Sequence, residues 1–353
     1  MKVLFIEDEK ISVEPVILHI QKHHACEVAS FPAAEKAVQD FQPDIVVLDL
    51  LEDGGTGDPL PEGNKALDFV WNSRFCPIVV YSAHLDRLTP GVWSDHPFVK
   101  LVQKGSGSER QVEEALKLFD PHITALHEAE YFVRGIFANT MRDVAPYAFV
   151  EITEEDKRKD AILRSGRRRL AAFMDDAGTT KLASWEVYIC PPVSANVKLG
   201  DVLRMKNGSA DDATAFRVIL TPSCDMVPGR NARIEGVLVA RCCKNDTGLQ
   251  TLGIAGAKAE KITTYLLTTG YRDGILPLPA LKGRIPSMMA DLKKIELLPL
   301  ADIGDELKNY VRIASIDSPF RELIAWAYSN TACRPGLPDR DFDTWAAEIA
   351  SIR

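Results

Sequence analysis

No histidine follows His127 in this chain of 353 residues. Everything beyond that point is therefore barred from building a histidine-ligated metal site or a histidine-activated nucleophile on its own. No apolar stretch approaches the roughly 20 residues that a membrane span requires. The seven cysteines, at 26, 76, 190, 224, 242, 243 and 333, show no CxxC spacing. An odd count without paired spacing points to reduced thiols, most of them buried. A zinc site gathered from Cys190, Cys224, Cys242 and Cys243 would use adjacent cysteines, a poor ligand geometry, so ordinary core cysteines are the better reading. The opening Met1-Lys2-Val3-Leu4-Phe5 runs straight into an apolar run and a carboxylate pair, without a signal-peptide core or cleavage site. A cytoplasmic protein is expected.

What is present is an ordinary globular composition, 46% apolar and 26% charged, in a length that accommodates two or three domains. Charge is uneven. Residues 1 to 120 hold 11 Lys and Arg against 20 Asp and Glu, and the remainder is nearly neutral, with 31 against 30. The acidity thus belongs to the first third.

Four short apolar runs in that third end on polar residues. Val3-Leu4-Phe5-Ile6 precedes Glu7 and Asp8; Ile45-Val46-Val47-Leu48 precedes Asp49; Ile78-Val79-Val80-Tyr81 precedes Ser82; Phe98 to Gln103 precedes Lys104. Such runs between helix-like stretches read as buried parallel strands, and an open α/β sheet places its polar site at their carboxyl ends. Carboxylates, a hydroxyl and an ammonium meeting there suit Mg²⁺ and phosphoryl transfer. Mg²⁺ takes one or two carboxylates plus phosphate oxygens, a role for Asp8, Glu7 and Asp49. A carboxylate also serves as a nucleophile that forms an acyl phosphate. Asp49 is the candidate nucleophile, since its neighbours are apolar, and Asp8 is the principal candidate metal ligand. Lys104 and Ser82 suit the phosphoryl oxygens.

With these segments, Pro43-Asp44-Ile45-Val46-Val47-Leu48-Asp49-Leu50 and Pro77-Ile78-Val79-Val80-Tyr81-Ser82-Ala83 among them, residues 1 to about 120 resemble a response-regulator receiver domain of two-component systems. Four motifs in order are far more specific than any one. The resemblance implies a flavodoxin-like α/β fold, a five-stranded parallel sheet with helices on both faces. It also implies phosphorylation of Asp49 by a sensor histidine kinase, with Mg²⁺ held by Asp8, Asp49 and the backbone carbonyl of Leu51. The sequence departs from the family at Gly105, where receivers usually carry proline, and at Leu101, where they usually carry an aromatic residue. The segment Glu52 to Pro61 is longer than the family loop and rich in turn formers, suited to lid the site or bind a partner.

Pro121 is read as closing the receiver. A helical connector follows over residues 121 to 180. Ile123, Leu126, Val133, Phe137, Thr140 and Val144 are spaced three and four apart, either as a homodimer seam or as a helix packed on its own domain. Thr153-Glu154-Glu155-Asp156 resembles a capping box opening a second helix. Seven basic residues fall between Lys157 and Arg169 with one acid, Asp160. They could neutralise nucleic-acid phosphates, form a solvated face or dock on the acidic receiver.

From residue 181 the pattern becomes β-rich. Strands are expected at Trp185 to Cys190, Val202 to Met205, Phe216 to Leu220, Val237 to Cys242, Thr264 to Thr268, Ile295 to Leu298 and Tyr310 to Ile313. Turn formers separate them, as in a small barrel or sandwich. Helices follow at Phe320 to Ala332 and Asp341 to Ile352; the last is acidic and a poor reader of a DNA groove. Cys224 and Asp225 end a strand, as a catalytic pair without an evident base or as a buried thiol beside a carboxylate serving turn amides. Val218 to Asp225 and Arg312 to Asp341 resemble uncharacterised bacterial output segments, which brings no activity.

The expectation is an atypical response regulator: an Mg²⁺-dependent receiver whose chemistry is confined to its own phosphorylation and dephosphorylation, coupled to a β-rich module that binds a partner. The rivals are a nucleic-acid-binding regulator using residues 157 to 169 and an effector enzyme with Cys224 at its site.

Overall fold

The computed structural model describes residues 1–50, 62–73, 75–88, 96–176, 181–227, 234–305, 307–333 and 341–351. The chain divides into two compact units, Met1–Gly178 and Thr179–Arg353.

In the first unit five strands, β1 (Lys2–Ile6), β2 (Ala25–Ala29), β3 (Ile45–Leu48), β4 (Ile78–Ser82) and β5 (Val99–Gln103), form one parallel sheet ordered β2-β1-β3-β4-β5. That is the flavodoxin-like order, with its topological switch between β1 and β3. The apolar runs produce it because alternate residues face opposite sides of a strand. Val3, Phe5, Ile45, Val47 and Val79 pack under α1 (Lys10–Ile20) and the first part of a long helix, against Val16, Leu116 and Phe119. Leu4, Ile6, Val46, Leu48 and Val80 pack on the other face, against Val38 of α2 (Ala34–Phe41) and Leu67 and Val70 of α3 (Glu62–Ser73). The three central strands are buried on both faces and read as unbroken apolar runs, while the edge strands β2 and β5 are partly exposed. Among the described residues the β4–β5 connection carries only the 3₁₀ turn Leu85–Arg87.

The long helix, α4 (Ser108–Glu151), differs from the sequence reading. It runs 44 residues, roughly 66 Å at 1.5 Å per residue, and passes through Pro121 and Pro146. The expected break at Pro121 does not occur. Apolar anchorage continues on both sides of the proline: Phe119 and Ile123 are both buried in the core on this face of the sheet, and this tertiary packing outweighs the hydrogen bond a proline removes. His127 Nε2 lies 2.9 Å from Asp44 Oδ1 and His19 Nε2 lies 2.8 Å from Glu113 Oε2, tying the helix to the sheet and to α1.

Helix α5 (Glu155–Asp176) folds back along the end of α4. Ile136, Thr140, Ala148, Ile162 and Gly166 are buried between or beside them. Gly166 lies in this contact, where a Cβ would meet the Phe137 ring at 3.4 Å, an ordinary van der Waals distance. Three of the basic residues are engaged locally: Lys157 with Glu154 at 2.6 Å, Arg169 with Asp143 at 2.6 Å, and Arg158 over the Phe149 ring at 4.4 Å.

The second unit is a mainly antiparallel sheet. Its strands are β6 (Tyr188–Ile189), β7 (Asp201–Met205), β8 (Phe216–Ile219), β9 (Gly236–Cys243), β10 (Ile275–Leu278), β11 (Met288–Pro299), β12 (Ile303–Gly304) and β13 (Tyr310–Ile316). The order is β10-β11-β9-β8-β7-β13-β12, with β6 also paired to β13. Alternation fills two cores: Val202, Val218 and Ala240 on one face, Leu203, Ile219 and Val239 on the other. Register shifts in β11 and β13 bend the sheet.

Short helices α6 (Asn245–Thr251) and α7 (Ala259–Ile262) follow β9, and α8 (Phe320–Ala332) and α9 (Phe342–Ala350) close the unit. Two expected strands are corrected: Trp185 to Val187 lies in a 3₁₀ turn ahead of the two-residue β6, and Thr263–Leu267 is a π-helical turn, not a strand. Its β-branched and aromatic residues read as β, but Leu266 is buried with Leu252, Ile254 and Ile275 in a side cluster that a helical turn serves. No described helix is long and apolar enough to cross a membrane.

Candidate functional site

The strand ends of the first unit bring Glu7, Asp49 and Lys104 together. Lys104 Nζ lies 2.6 Å from Glu7 Oε2 and 2.7 Å from Asp49 Oδ2. It donates a further bond to Ser12 Oγ at 3.2 Å and sits 5.6 Å from the centre of the Tyr81 ring. Three strands and one helix thus converge on one ammonium. Asp49 is held by its own turn, its Oδ1 accepting the Leu50 N–H at 2.7 Å. Ser82 is buried and its hydroxyl accepts the His84 N–H at 3.2 Å. Asp8 follows Glu7 at the mouth, half-buried. Leu51 and the turn-rich segment Glu52 to Pro61 lie outside the described residues.

Burial raises the Glu7 carboxyl above its ordinary value; the Lys104 ammonium opposes this and the Asp49 charge reinforces it. Burial alone would lower Lys104, yet the hydrogen bonds and charges of Asp49 and Glu7 outweigh it and raise the ammonium instead. The cluster therefore holds a firm cation among carboxylates. Glu7 and Asp49 alone set two carboxylates against one ammonium.

The site also has parts that pattern reading did not assign. Tyr81 OH and Ser108 Oγ share a hydrogen bond of 2.8 Å, so the residue before Ser82 is locked to the first turn of α4. Gly105 N–H points to Ser108 Oγ at 3.4 Å, a bond a proline there could not donate. Leu101 is exposed. Gly63 at the start of α3 packs directly on the strand end, where a Cβ would meet the Asp49 carbonyl oxygen at an impossible distance. A glycine after a loop was visible in the sequence; its contact with a strand end was not.

Cys224 belongs to a different place. It is exposed, not buried, and its thiol lies 3.5 Å from Asp225 Oδ1 in a 3₁₀ turn, Ser223–Met226. Ser223 spends its hydroxyl accepting the Leu199 N–H at 3.0 Å. No histidine exists in this unit to take a proton from the thiol.

No family model matches the chain, and no curated protein does. Solved structures do match. The receiver domain of a putative LuxO repressor from Vibrio parahaemolyticus is 19% identical over 36% of this chain and 96% of its own, at TM-score 0.29. The amino-terminal domain of a response regulator/sensory box/GGDEF protein from Carboxydothermus hydrogenoformans is 22% identical over 35% of this chain and 99% of its own, at TM-score 0.27. A Klebsiella pneumoniae RstA receiver, described as BeF3-activated, is 17% identical over 33% and 98%, at TM-score 0.24. These similarities cover the first third of the chain alone. The strand order and the strand-end residues carry the reading that follows.

Proposed function

We propose that this protein is a response regulator whose receiver is phosphorylated on Asp49 and whose β-rich second unit delivers the output. The observation that carries this reading is the Lys104 ammonium bridging the Asp49 and Glu7 carboxylates at the carboxyl ends of a flavodoxin-like sheet. An Asp49 carboxylate oxygen would attack the phosphorus of the donor, the bond to the leaving group would break, and an acyl phosphate would remain. Lys104 would then stabilise negative charge on the phosphoryl oxygens, and Ser82, at the end of the neighbouring strand β4, would donate to them.

Mg²⁺ is the implied cofactor. Among the described residues no three ligating side chains gather around one point, but Mg²⁺ needs only one or two protein carboxylates beside waters and phosphate. Glu7, Asp8 and Asp49, with the Leu51 carbonyl, are the donors this chain would offer. When bound, the ion would neutralise charge building on the transferring phosphoryl group. A sensor histidine kinase would be the physiological donor, and the cytoplasm the setting.

The continuous α4 supports a route for the signal. A shift at Lys104 acts on Ser108 through Gly105 and Tyr81, and Ser108 begins a helix that leaves the receiver without a break. The test is incubation of the full chain with acetyl phosphate and Mg²⁺, read by intact mass. One phosphoryl group on the wild type and none on Asp49→Asn is expected; equal labelling of both overturns the assignment.

A nucleic-acid role has one supporting observation: Lys159, Arg164, Arg167 and Arg168 of α5 are exposed. Binding to duplex DNA that weakens steeply with salt and is lost on replacing the three arginines would favour it.

A further inference from the structure

The second unit contains a cleft of about 670 Å³ that the receiver reading does not use. Its floor is the β10–β11 hairpin, with Leu276, Leu278, Met288 and Met289. One wall is the helical turn from Ile262 to Gly270; the other is α8, through Phe320, Leu323 and Ile324. The two walls meet where Gly270, at φ +76°, lies against Leu323: a Cβ there would sit 2.5 Å from Leu323 Cδ2. Well-packed interiors leave few voids larger than a water molecule, whereas ligand sites occupy roughly 300–1,000 Å³. The volume falls in the second class.

The lining chemistry narrows the occupant. Among the described residues, not one lining side chain is ionisable. A phosphate, carboxylate or ammonium would enter without a partner and lose its hydration, so nucleotides and ionised metabolites are disfavoured. The polar exceptions are few. Asn245 donates through Nδ2 to Ser287 Oγ at 2.9 Å, which leaves the Asn245 carbonyl oxygen and the Ser287 hydroxyl proton for a guest. Thr268 and Thr269 stand at the exposed helical turn, although both hydroxyls already donate to carbonyls of their own segment.

An extended peptide fits poorly. The edge strand that floors the cleft is β10, paired only with β11 among the described residues, and it carries Pro277 with Pro279 just after it. Each proline removes an N–H that an added strand would need.

We propose that this cleft binds a neutral, mainly apolar small molecule with one hydrogen-bonding head group, the body on the Leu/Met floor and the head at Asn245 and Ser287. Such a site would give the output half an input of its own, independent of Asp49 chemistry. The inference rests on the second unit alone and stands or falls separately from the receiver reading.

The experiment titrates the full chain with the neutral fluorophore N-phenyl-1-naphthylamine, then displaces it with decan-1-ol or, in parallel, with decanoate at neutral pH. Saturable binding to one site is expected, with displacement by the alcohol and little by the acid. Leu267→Arg and Thr268→Glu, at exposed lining positions, should each weaken the probe by roughly tenfold or more, because a charge then faces the apolar cleft. Both should keep the wild-type melting temperature. Absence of saturable binding, equal displacement by acid and alcohol, or wild-type affinity in the folded variants overturns the proposal. Should one variant fail to fold, the other and the alcohol–acid comparison still decide.

Discussion

Lys104 Nζ reaches back 55 residues to sit 2.7 Å from Asp49 Oδ2. The contact joins β5 to the end of β3 and fixes the charge of the site, because Glu7 takes the other side of the same ammonium. Removing the cation should leave two facing carboxylates, one of them already buried. Lys104→Met is expected to lower unfolding free energy by about 1–3 kcal/mol, the range for a partly buried charged hydrogen bond. Added Mg²⁺ should restore part of that loss. Urea denaturation with and without Mg²⁺ checks both; a variant as stable as wild type in metal-free buffer would show that the bridge contributes nothing.

A second relationship constrains the backbone. Gly63 N–H donates to the Leu50 carbonyl at 3.2 Å, and a Cβ on Gly63 would run into the Asp49 carbonyl oxygen and Leu50 Cα. These are main-chain atoms that cannot swing aside. Gly63→Ala should therefore destabilise by about 2 kcal/mol or more and slow the labelling of Asp49. Thermal melting beside the acetyl phosphate assay tests it. A melting point within a degree or so of wild type would mean that the strand end yields easily.

The central strands β1, β3 and β4 are legible because both their faces are buried, which leaves unbroken apolar runs that end on polar residues, whereas the edge strand β2 is partly exposed and carries no such run. The long-range pairings of Lys104 followed from those ends. Helix boundaries were less legible: Pro121 marks a stop in local terms, yet Phe119 and Ile123 bury on either side of it and keep the helix intact. In the second unit Thr263 to Leu267 carries β-formers in a helical turn, because burial of Leu266, a tertiary matter, decided its shape. β10 is not legible, since Pro277 and Pro279 argue against a strand and only an edge position tolerates them. Ser12, Tyr81 and Ser108 were not assignable, as nothing in their local pattern announces a distant partner.

Gly166 makes the opposite case to Gly63. It lies within α5, and an added Cβ would meet the Phe137 ring at 3.4 Å and the Thr140 methyl at 3.8 Å, ordinary contact distances. Glycine inside a helix is less favourable than alanine by roughly 0.8–1 kcal/mol. Gly166→Ala should accordingly stabilise the first unit by up to about 1 kcal/mol, read as a higher urea midpoint. A lower midpoint would show that the α4–α5 contact is tighter than these distances imply.

Arg217 and Arg241 stand directly opposite each other on β8 and β9, a like-charge pair that would repel without help. Glu296 on β11 supplies it: one oxygen pairs with Arg217 Nε, and the other lies 2.8 Å from Arg241 Nη2. Burial pushes the Glu296 carboxyl up, but the two guanidinium groups outweigh this and hold it below the ordinary value of 4.5. A carboxylate depressed on folding stabilises the native state above its unfolded pKa, and that contribution disappears as pH falls through the folded value. Wild type should therefore lose stability on acidification below about pH 4.5 more steeply than Glu296→Gln. At neutral pH the glutamine variant should be destabilised by about 3 kcal/mol, since Arg217 is buried and would lose its charged partner. Urea midpoints between roughly pH 3 and 7 separate the two effects. Parallel pH profiles for wild type and variant would refute a depressed Glu296, and an unchanged neutral midpoint would mean that water replaces the ion pair at no loss.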